Sequence, residues 1–221
     1  MSRSKGLHLS QVIDFIESRG GAPREGLSQT GKAFATGGFL WERVLDRLIN
    51  SSKEELFEWL FTAALVEINN PEVVRPGEQV IDCGECPACE GRGNDGGFTV
   101  EFPCESCAGT GRLRIYMTPD GYNISDELLE EWKHTSKSCK YGLDQMKFHR
   151  WTKWQIPAYL KSLNLTKCRL RVYFVRGDYT DNTPQWREAI LEYSQQEIDE
   201  TWDSIVQHAV IMVRDGVLNA V

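Results

Sequence analysis

Long apolar runs are missing from this chain of 221 residues. None approaches the roughly 18 residues that a membrane-spanning helix requires. The opening stretch, MSRSKGLHLS, also lacks the apolar core of a secretory signal peptide. With 41% hydrophobic and 26% charged residues, the composition is typical of a globular protein. We therefore expect no membrane association and a cytoplasmic location.

Familiar catalytic motifs are missing as well. The sequence contains no G-x-S-x-G motif, no H-E-x-x-H motif and no pair of acidic residues at a spacing that indicates acid–base chemistry. Its four histidines are scattered along the chain. On these grounds the sequence predicts a protein that is not an enzyme.

Acidic residues are almost absent from one segment, although the whole chain has a net charge of −7. Residues 133–176 carry 11 basic side chains and one acid, Asp144, which gives a local charge of +10. Cations interleaved with aromatic rings are typical of nucleic-acid surfaces, because cations neutralise phosphates and rings stack on bases. The alternative is a solvated charged face. The predicted nucleic-acid-binding residues are Lys140, Lys147, Arg150, Trp151, Lys153, Arg169 and Arg171.

Five of the seven cysteines fall between residues 83 and 107, and four of them form a repeated pattern. The pattern C-x-x-C-x-G-x-G occurs as CPACEGRG and as CESCAGTG. Two thiolates three residues apart reach one tetrahedral zinc from a tight turn, and a second such turn completes the site. A disulfide framework is a weak alternative, because seven is an odd number and cytoplasmic thiols stay reduced. We therefore predict one zinc ion per chain, bound by Cys86, Cys89, Cys104 and Cys107.

Cys83 leaves one ambiguity, since it stands three residues before Cys86 and the pair Cys83–Cys86 has the same spacing. The glycines favour Cys86 and Cys89 as the first pair. Gly91 and Gly93 follow that pair as the corresponding glycines follow Cys104 and Cys107.

Hydrophobic periodicity predicts a mainly α fold with a small central zinc-bound β-hairpin, α+β overall. The predicted helices cover residues 7–19, 39–49, 53–69, 126–137, 157–164 and about 184–215, and the predicted strands include RLRIYMT and CRLRVYFVR. The expected organisation is a short helix and linker over 1–38 and a helical hairpin over 39–82. A zinc finger over 83–116 and a basic, aromatic and helical region over 117–221 follow.

The repeated C-x-x-C-x-G-x-G resembles the zinc-binding repeats of the DnaJ chaperone family, which carries four repeats and two zinc sites. This chain has two repeats and no H-P-D signature of a J-domain. The whole layout is more similar to the late-gene antitermination proteins of lambda-type phages, called Q. That family has one pair of such repeats in mid-chain, a helical region after a Gly/Ala-rich stretch like GKAFATGGF, and a helical C-terminal region.

The resemblance implies a non-enzymatic regulator that binds promoter DNA in the host cytoplasm. Such proteins load onto bacterial RNA polymerase and its σ factor and make the polymerase ignore terminators. Double-stranded DNA and RNA polymerase are therefore the expected partners. Two alternatives lack a nucleic-acid role: a zinc-dependent chaperone or adaptor, and an inhibitor of a host enzyme.

Overall fold

The fold consists of two mixed β-sheets and three α-helices in the part of the chain that the structure describes. The structure, a computed structural model, describes residues 6–19, 73–94, 103–135, 137–141, 143, 150–174, 178, 180 and 185–216. The predicted helices 39–49 and 53–69, and the predicted strand in the spacer between the cysteine repeats, lie outside these residues. The prediction of a mainly α fold is wrong, because eight strands build the two sheets of the described part.

The smaller sheet holds the cysteine repeats. Its order is β1 (Leu7–His8), β4 (Arg112–Met117) and β3 (Gln79–Glu85), with β1 parallel and β3 antiparallel to β4. Both cysteine turns lie in the connection from β3 to β4. Helix α1 (Leu9–Arg19) follows β1 directly and packs on β4. The predicted strand RLRIYMT is thus confirmed, and the predicted helix over 7–19 is confirmed from Leu9 onward, since Leu7 and His8 form β1.

The larger sheet has five strands in the order β2 (Val73–Val74), β5 (Gly121–Asn123), β6 (Leu128–Thr135), β7 (Lys167–Phe174) and β8 (Gln185–Glu192). Strands β6 and β7 are parallel, and all other neighbours are antiparallel. A parallel pair requires a crossover connection. Here a π-helical turn (Trp151–Gln155) and helix α2 (Ile156–Leu163) supply it.

Helix α3 (Gln195–Arg214) packs against α2 and α1 and closes the core. Its buried residues recur at helical spacing and include Ile198, Ile205 and Ala209. Ser194 begins the helix with a capping box. Its hydroxyl accepts a hydrogen bond from the Glu197 amide, and the Glu197 carboxylate accepts one from the Ser194 amide.

One predicted helix is a strand, and another is a strand in its first part. The segment predicted as a helix over 126–137 forms β6, and the predicted helix from 184 begins only at Gln195, after strand β8. Strand β6 is buried on both faces between β5 and β7, so it lacks the apolar–polar alternation of a half-exposed strand. Its consecutive glutamates resemble the exposed face of a helix, yet both are fully buried.

Candidate functional site

The four cysteines of the two repeats come together in one buried cluster. Cys86, Cys89, Cys104 and Cys107 each offer a sulfur, and these atoms all lie within 4.8 Å of one another. The Sγ atoms of Cys86 and Cys104 are 4.0 Å apart, and those of Cys89 and Cys107 are 3.8 Å apart. A tetrahedral zinc with Zn–S bonds of about 2.3 Å spaces its sulfurs about 3.8 Å apart. The predicted clustering is confirmed, and the four thiols could hold a metal ion.

Backbone amides donate hydrogen bonds to sulfur atoms of this cluster, which favours the thiolate form. Gly93 N donates to Cys89 Sγ and Gly111 N donates to Cys107 Sγ, both at 3.3 Å. Burial raises the pKa of Cys104 to about 12. Burial also opposes ionisation of Cys107, but the Gly111 amide and the neighbouring thiols outweigh it and lower that pKa. Because some thiols are protonated without a metal, metal uptake should release protons.

Glycines let the two cysteine turns pack backbone against backbone. Gly93 and Gly111 have φ of +77° and +69°. A Cβ at Gly111 would lie 2.3 Å from Gly91 O, and one at Gly93 would lie 2.5 Å from Gly109 O. No side chain fits at that distance, so the glycine spacing in the repeats follows from the contact between them. Cys83 lies outside the cluster, with its thiol donating to Ile81 O at 3.6 Å.

Most of the described lysines and arginines predicted to bind nucleic acid pair with carboxylates. Arg169 and Arg171 lie on the face of the larger sheet away from α2. Arg169 pairs with Glu130 at 2.7 Å and Asp126 at 3.2 Å, and Arg171 pairs with Glu130 at 3.2 Å and Glu188 at 3.1 Å. Carboxylates from other segments therefore neutralise much of the charge that appears uncompensated in the sequence.

The other predicted cations lie around the crossover between β6 and β7. Arg150 pairs with Asp14 of α1 at 2.9 Å, and Lys140 pairs with Asp178 at 3.6 Å. Lys153 is exposed and its ammonium lies 4.8 Å from the centroid of a Trp154 ring. Trp151 is half-buried, and Lys147 lies outside the described residues.

A second cluster, which the sequence reasoning missed, joins Asp120, Glu131 and Lys133; we call it the acidic cluster. Lys133 Nζ lies 3.3 Å from Asp120 Oδ2 and forms an ion pair with Glu131 Oε1. The Trp132 amide also donates to Asp120 Oδ2 at 3.0 Å. Asp120 and Lys133 are 13% and 14% exposed, and Glu131 is 0% exposed. Two carboxylates thus flank one ammonium in a nearly closed site.

The sheet explains how this cluster forms. Asp120 lies in the turn between β4 and β5, and Glu131 and Lys133 are two residues apart on β6. Residues two apart on a strand point to the same face. In the register with β7, Glu131 lies opposite Leu170 and Lys133 opposite Val172, so both side chains share the buried face covered by α2.

The charge of the acidic cluster is not balanced. When both carboxylates are ionised, two carboxylates and one ammonium leave a net charge of −1, and Glu131 Oε2 receives no hydrogen bond from the described residues. Its neighbour Glu130, on the opposite face of β6, instead contacts two guanidinium groups. A buried carboxylate oxygen without a donor is costly unless a cation or proton compensates it.

The pKa values of Glu131 and Lys133 also reflect the excess of negative charge in the cluster. Burial and the nearby charge of Asp120 raise the pKa of Glu131 to about 8, against the opposing effect of Lys133. For Lys133, burial acts to lower the pKa, but Asp120 and Glu131 outweigh it and hold the pKa above its usual range. Lys133 therefore stays an ammonium at neutral pH, and the Glu131 carboxyl holds its proton to a higher pH than an exposed glutamate does.

Tyr159 of α2 lies close enough to the acidic cluster for the cluster's charges to act on its pKa. Gln155 Nε2 donates to the Tyr159 hydroxyl at 2.8 Å. Burial, together with the charge of Glu131, raises the pKa of Tyr159 above its usual range, so it remains a phenol. Lys133 Nζ lies 5.9 Å from the centroid of a Trp151 ring. Burial raises the pKa of Cys168 on β7 well above the usual range, which keeps it an unreactive thiol.

A sequence signal for this cluster existed. Glu131 and Lys133 have the spacing of one strand face, and the turn Thr118-Pro-Asp-Gly places a carboxylate just before β5. Because 126–137 was predicted as a helix, Glu131 and Lys133 were not expected to lie side by side, since positions two apart do not share a face of a helix.

Comparisons with known proteins leave the family open. No protein-family model matches the sequence, and no curated protein is significantly similar to it. The solved structure titled "Crystal structure of SSO0001" is similar with a TM-score of 0.44 and 11% sequence identity. The match covers 94% of this chain and 77% of that one. A likeness this distant carries no functional argument. Among the described residues, no helix is long and apolar enough to cross a membrane.

Proposed function

We propose that the protein is a metal-dependent nuclease that hydrolyses phosphodiester bonds at the acidic cluster. The observation that carries this proposal is the buried set of Asp120, Glu131 and Lys133, in which two carboxylates share one ammonium. The proposal departs from the sequence-based expectation of a non-enzymatic protein. That expectation rested on the absence of familiar catalytic motifs and did not include Asp120, Glu131 and Lys133.

The donor set favours a hard divalent cation. Carboxylate oxygens suit Mg²⁺ or Mn²⁺, and Mg²⁺ is usually held by one or two carboxylates, with water and substrate phosphate completing its shell. Asp120 and Glu131 supply these carboxylates here. With both carboxylates ionised, a divalent cation would turn the net charge of the cluster from −1 to +1 and give Glu131 Oε2 a partner.

Each side chain then has a role in phosphodiester hydrolysis. Asp120 and Glu131 would hold the cation, which would supply an activated water as the nucleophile. The water would lose a proton to solvent and bond to phosphorus, while the P–O bond opposite would break and its oxygen would take up a proton. Lys133 is an ammonium, so it cannot act as a base. It instead stabilises the negative charge that develops on the phosphate. Tyr159 accepts a hydrogen bond from Gln155 and keeps its own hydrogen to donate to a phosphate oxygen.

The surroundings favour a nucleic acid over a small phosphodiester. Lys133, Gln155 and Tyr159 come from β6 and from the crossover that follows it. The crossover also brings Trp151, half-buried, next to Lys133, and an exposed Lys153 next to Trp154. Cations and rings near the scissile bond are what a polyanion with stacking bases requires.

We assign zinc to the four-cysteine cluster, with one ion per chain and a structural role. Four thiolates form a closed tetrahedral shell that leaves no position for substrate. The cluster lies between β3 and β4, and β4 leads within three residues to Asp120. Zinc would thus hold the strand that delivers one ligand of the acidic cluster.

The test is cleavage of circular plasmid, linear duplex and single-stranded DNA with Mg²⁺, Mn²⁺ or EDTA. We expect cleavage with Mg²⁺ or Mn²⁺ and none with EDTA. Glu131→Gln should reduce the rate at least about 100-fold, since it removes a charged metal ligand. Glu130→Gln is the matched control, because it changes the neighbouring glutamate on the opposite face, and it should stay within a few-fold of wild type. Equal cleavage by the Glu131→Gln variant would refute the proposal.

The antitermination hypothesis remains a second candidate, favoured by the two cysteine repeats that close one cluster. It makes the protein a non-enzymatic DNA-binding factor that acts on RNA polymerase and its σ factor. Gel-shift assays with promoter DNA in EDTA, over a salt series, and retention of RNA polymerase from a bacterial lysate test it. Retention together with metal-dependent cleavage would support both functions; cleavage without retention would leave only the nuclease.

A further inference from the structure

Asp120 is the member of the acidic cluster with the least support from regular structure, because it lies in a turn rather than in a strand. A metal ligand on a turn needs outside contacts to hold its geometry. Its carboxylate accepts hydrogen bonds at Oδ2 from the Trp132 amide at 3.0 Å and from Lys133 Nζ at 3.3 Å. These hydrogen bonds from β6 orient the Asp120 side chain, but they do not hold the Asp120 backbone.

Arg75 supplies the contact to the backbone. Its Nη1 donates to Asp120 O at 2.9 Å, across 45 residues of sequence. Arg75 directly follows β2, in which Val74 pairs with Tyr122 of β5. Strand pairing therefore brings Arg75 beside the turn, and its guanidinium reaches the carbonyl of the metal-ligating residue itself.

Close packing on the other side leaves the turn little room to move. A Cβ at Gly121, next to Asp120, would lie 3.2 Å from Glu130 Cβ and 3.2 Å from the Trp132 ring. The turn thus rests against β6 on one side and is held by Arg75 on the other. Loss of the Arg75 contact would free the carbonyl but not the carboxylate, so we expect misalignment of the ligand rather than unfolding.

We propose that Arg75 is a positioning residue that aligns Asp120 for the divalent cation of the nuclease site. This inference rests on the proposed function. The partners behind metal ligands typically change metal affinity by about 10-fold to 100-fold when they are removed. Arg75→Ala should therefore weaken Mn²⁺ binding about 10-fold and lower kcat for DNA cleavage, with KM for DNA within about twofold of wild type.

The experiment measures Mn²⁺ binding by isothermal titration calorimetry on the full chain, without DNA, beside cleavage kinetics. Arg75→Lys retains a cationic donor and should recover much of the Mn²⁺ affinity. Arg214→Ala, which removes an exposed arginine at the end of α3, is the control and should bind Mn²⁺ as wild type does. Thermal unfolding in EDTA shows whether each variant is folded.

The outcomes separate this inference from the proposed function. Wild-type protein that neither binds Mn²⁺ nor cleaves DNA would overturn both. Wild-type activity with unchanged Mn²⁺ affinity in Arg75→Ala would overturn the role of Arg75 alone. A lower melting temperature for Arg75→Ala with unchanged Mn²⁺ affinity would do the same, since it would assign Arg75 to stability. Weaker binding that Arg75→Lys restores would support it.

Discussion

Glu130 and Glu131 are adjacent in sequence, yet they lie on opposite faces of the sheet and have different partners. Glu130 faces Arg169 and Arg171 and closes an ion-pair network on one face of the sheet. Glu131 points to the other face, where it meets Asp120 and a single ammonium. Because strand side chains alternate, one residue of register separates a structural carboxylate from a candidate metal ligand.

The raised pKa of Glu131, about 8, predicts a pH dependence of stability without divalent metal. The folded protein keeps a proton that the unfolded chain releases near pH 4.3. Stability from this group is therefore full below about pH 4.3 and declines until about pH 8, by at most about 1.4 kcal/mol per pH unit. Lys133 is charged in both states over this range and adds no slope.

Urea unfolding in EDTA between pH 5 and 8.5 measures this effect. Glu131→Gln should remove the decline that Glu131 causes, so the difference between the two proteins isolates the group. Parallel stability curves for wild type and Glu131→Gln would contradict the assignment.

Lys133 offers a second prediction at the scale of one residue. Lys133→Met keeps the unbranched chain up to the ε position but removes the ammonium that would stabilise the phosphate. We expect divalent binding to persist, because both carboxylates remain, while the cleavage rate falls about 100-fold to 1,000-fold. Calorimetry with Mn²⁺ and single-turnover cleavage on the same sample test this, and cleavage near the wild-type rate would rule out the role given to Lys133.

The elements differ in how well the sequence predicts them. The cysteine repeats were predicted from the sequence, whereas strand β6 was predicted as a helix. Helix α1, helix α2 and strands β4 and β7 follow their local patterns and were predicted. Strand β6 was not, since its segment LLEEWKHT has helix-forming residues and its strand state depends on β5 and β7. Local propensity loses to tertiary pairing at such a position.

The packing of the two cysteine turns gives a prediction about glycine. Gly111→Ala should weaken zinc binding and unfold the repeats, because the new Cβ would lie 2.3 Å from Gly91 O. Gly77→Ala is the matched control, since Gly77 has a similar φ of +74° but nothing within 4 Å of its Cβ position. The control should cost about 1 kcal/mol for its backbone conformation.

Zinc content by elemental analysis and thermal unfolding distinguish the two variants. We expect normal zinc in Gly77→Ala and substoichiometric zinc in Gly111→Ala. Equal zinc content in both would show that the close contact between the turns is not needed for metal binding.

At the scale of the whole molecule, the fold places two candidate metal sites of different chemistry at the two ends of β4. The four-thiol cluster precedes this strand and Asp120 follows it. Soft sulfur ligands select zinc, and hard carboxylates select Mg²⁺ or Mn²⁺. The protein should therefore bind two metals independently.

Dialysis tests this separation. Brief treatment with EDTA should remove the divalent cation of the acidic cluster and leave one zinc per chain, by elemental analysis. Mg²⁺ at 100 times its dissociation constant should then stabilise the protein by about 2.7 kcal/mol. Loss of zinc together with Mg²⁺ in the same step, or no stabilisation by Mg²⁺, would contradict two independent sites.

The sequence by itself determined the four-cysteine cluster. Each pair lies within one tight turn, and the glycine spacing marks the two turns as equivalent, so local geometry was sufficient. Tertiary structure alone determined that the acidic cluster forms and that carboxylates pair with the arginines of the basic segment. Asp120 meets Glu131 and Lys133 only because β5 pairs with β6, and Arg169 and Arg171 meet Glu130 only because β7 does. These encounters depend on sheet order, which no local pattern contains.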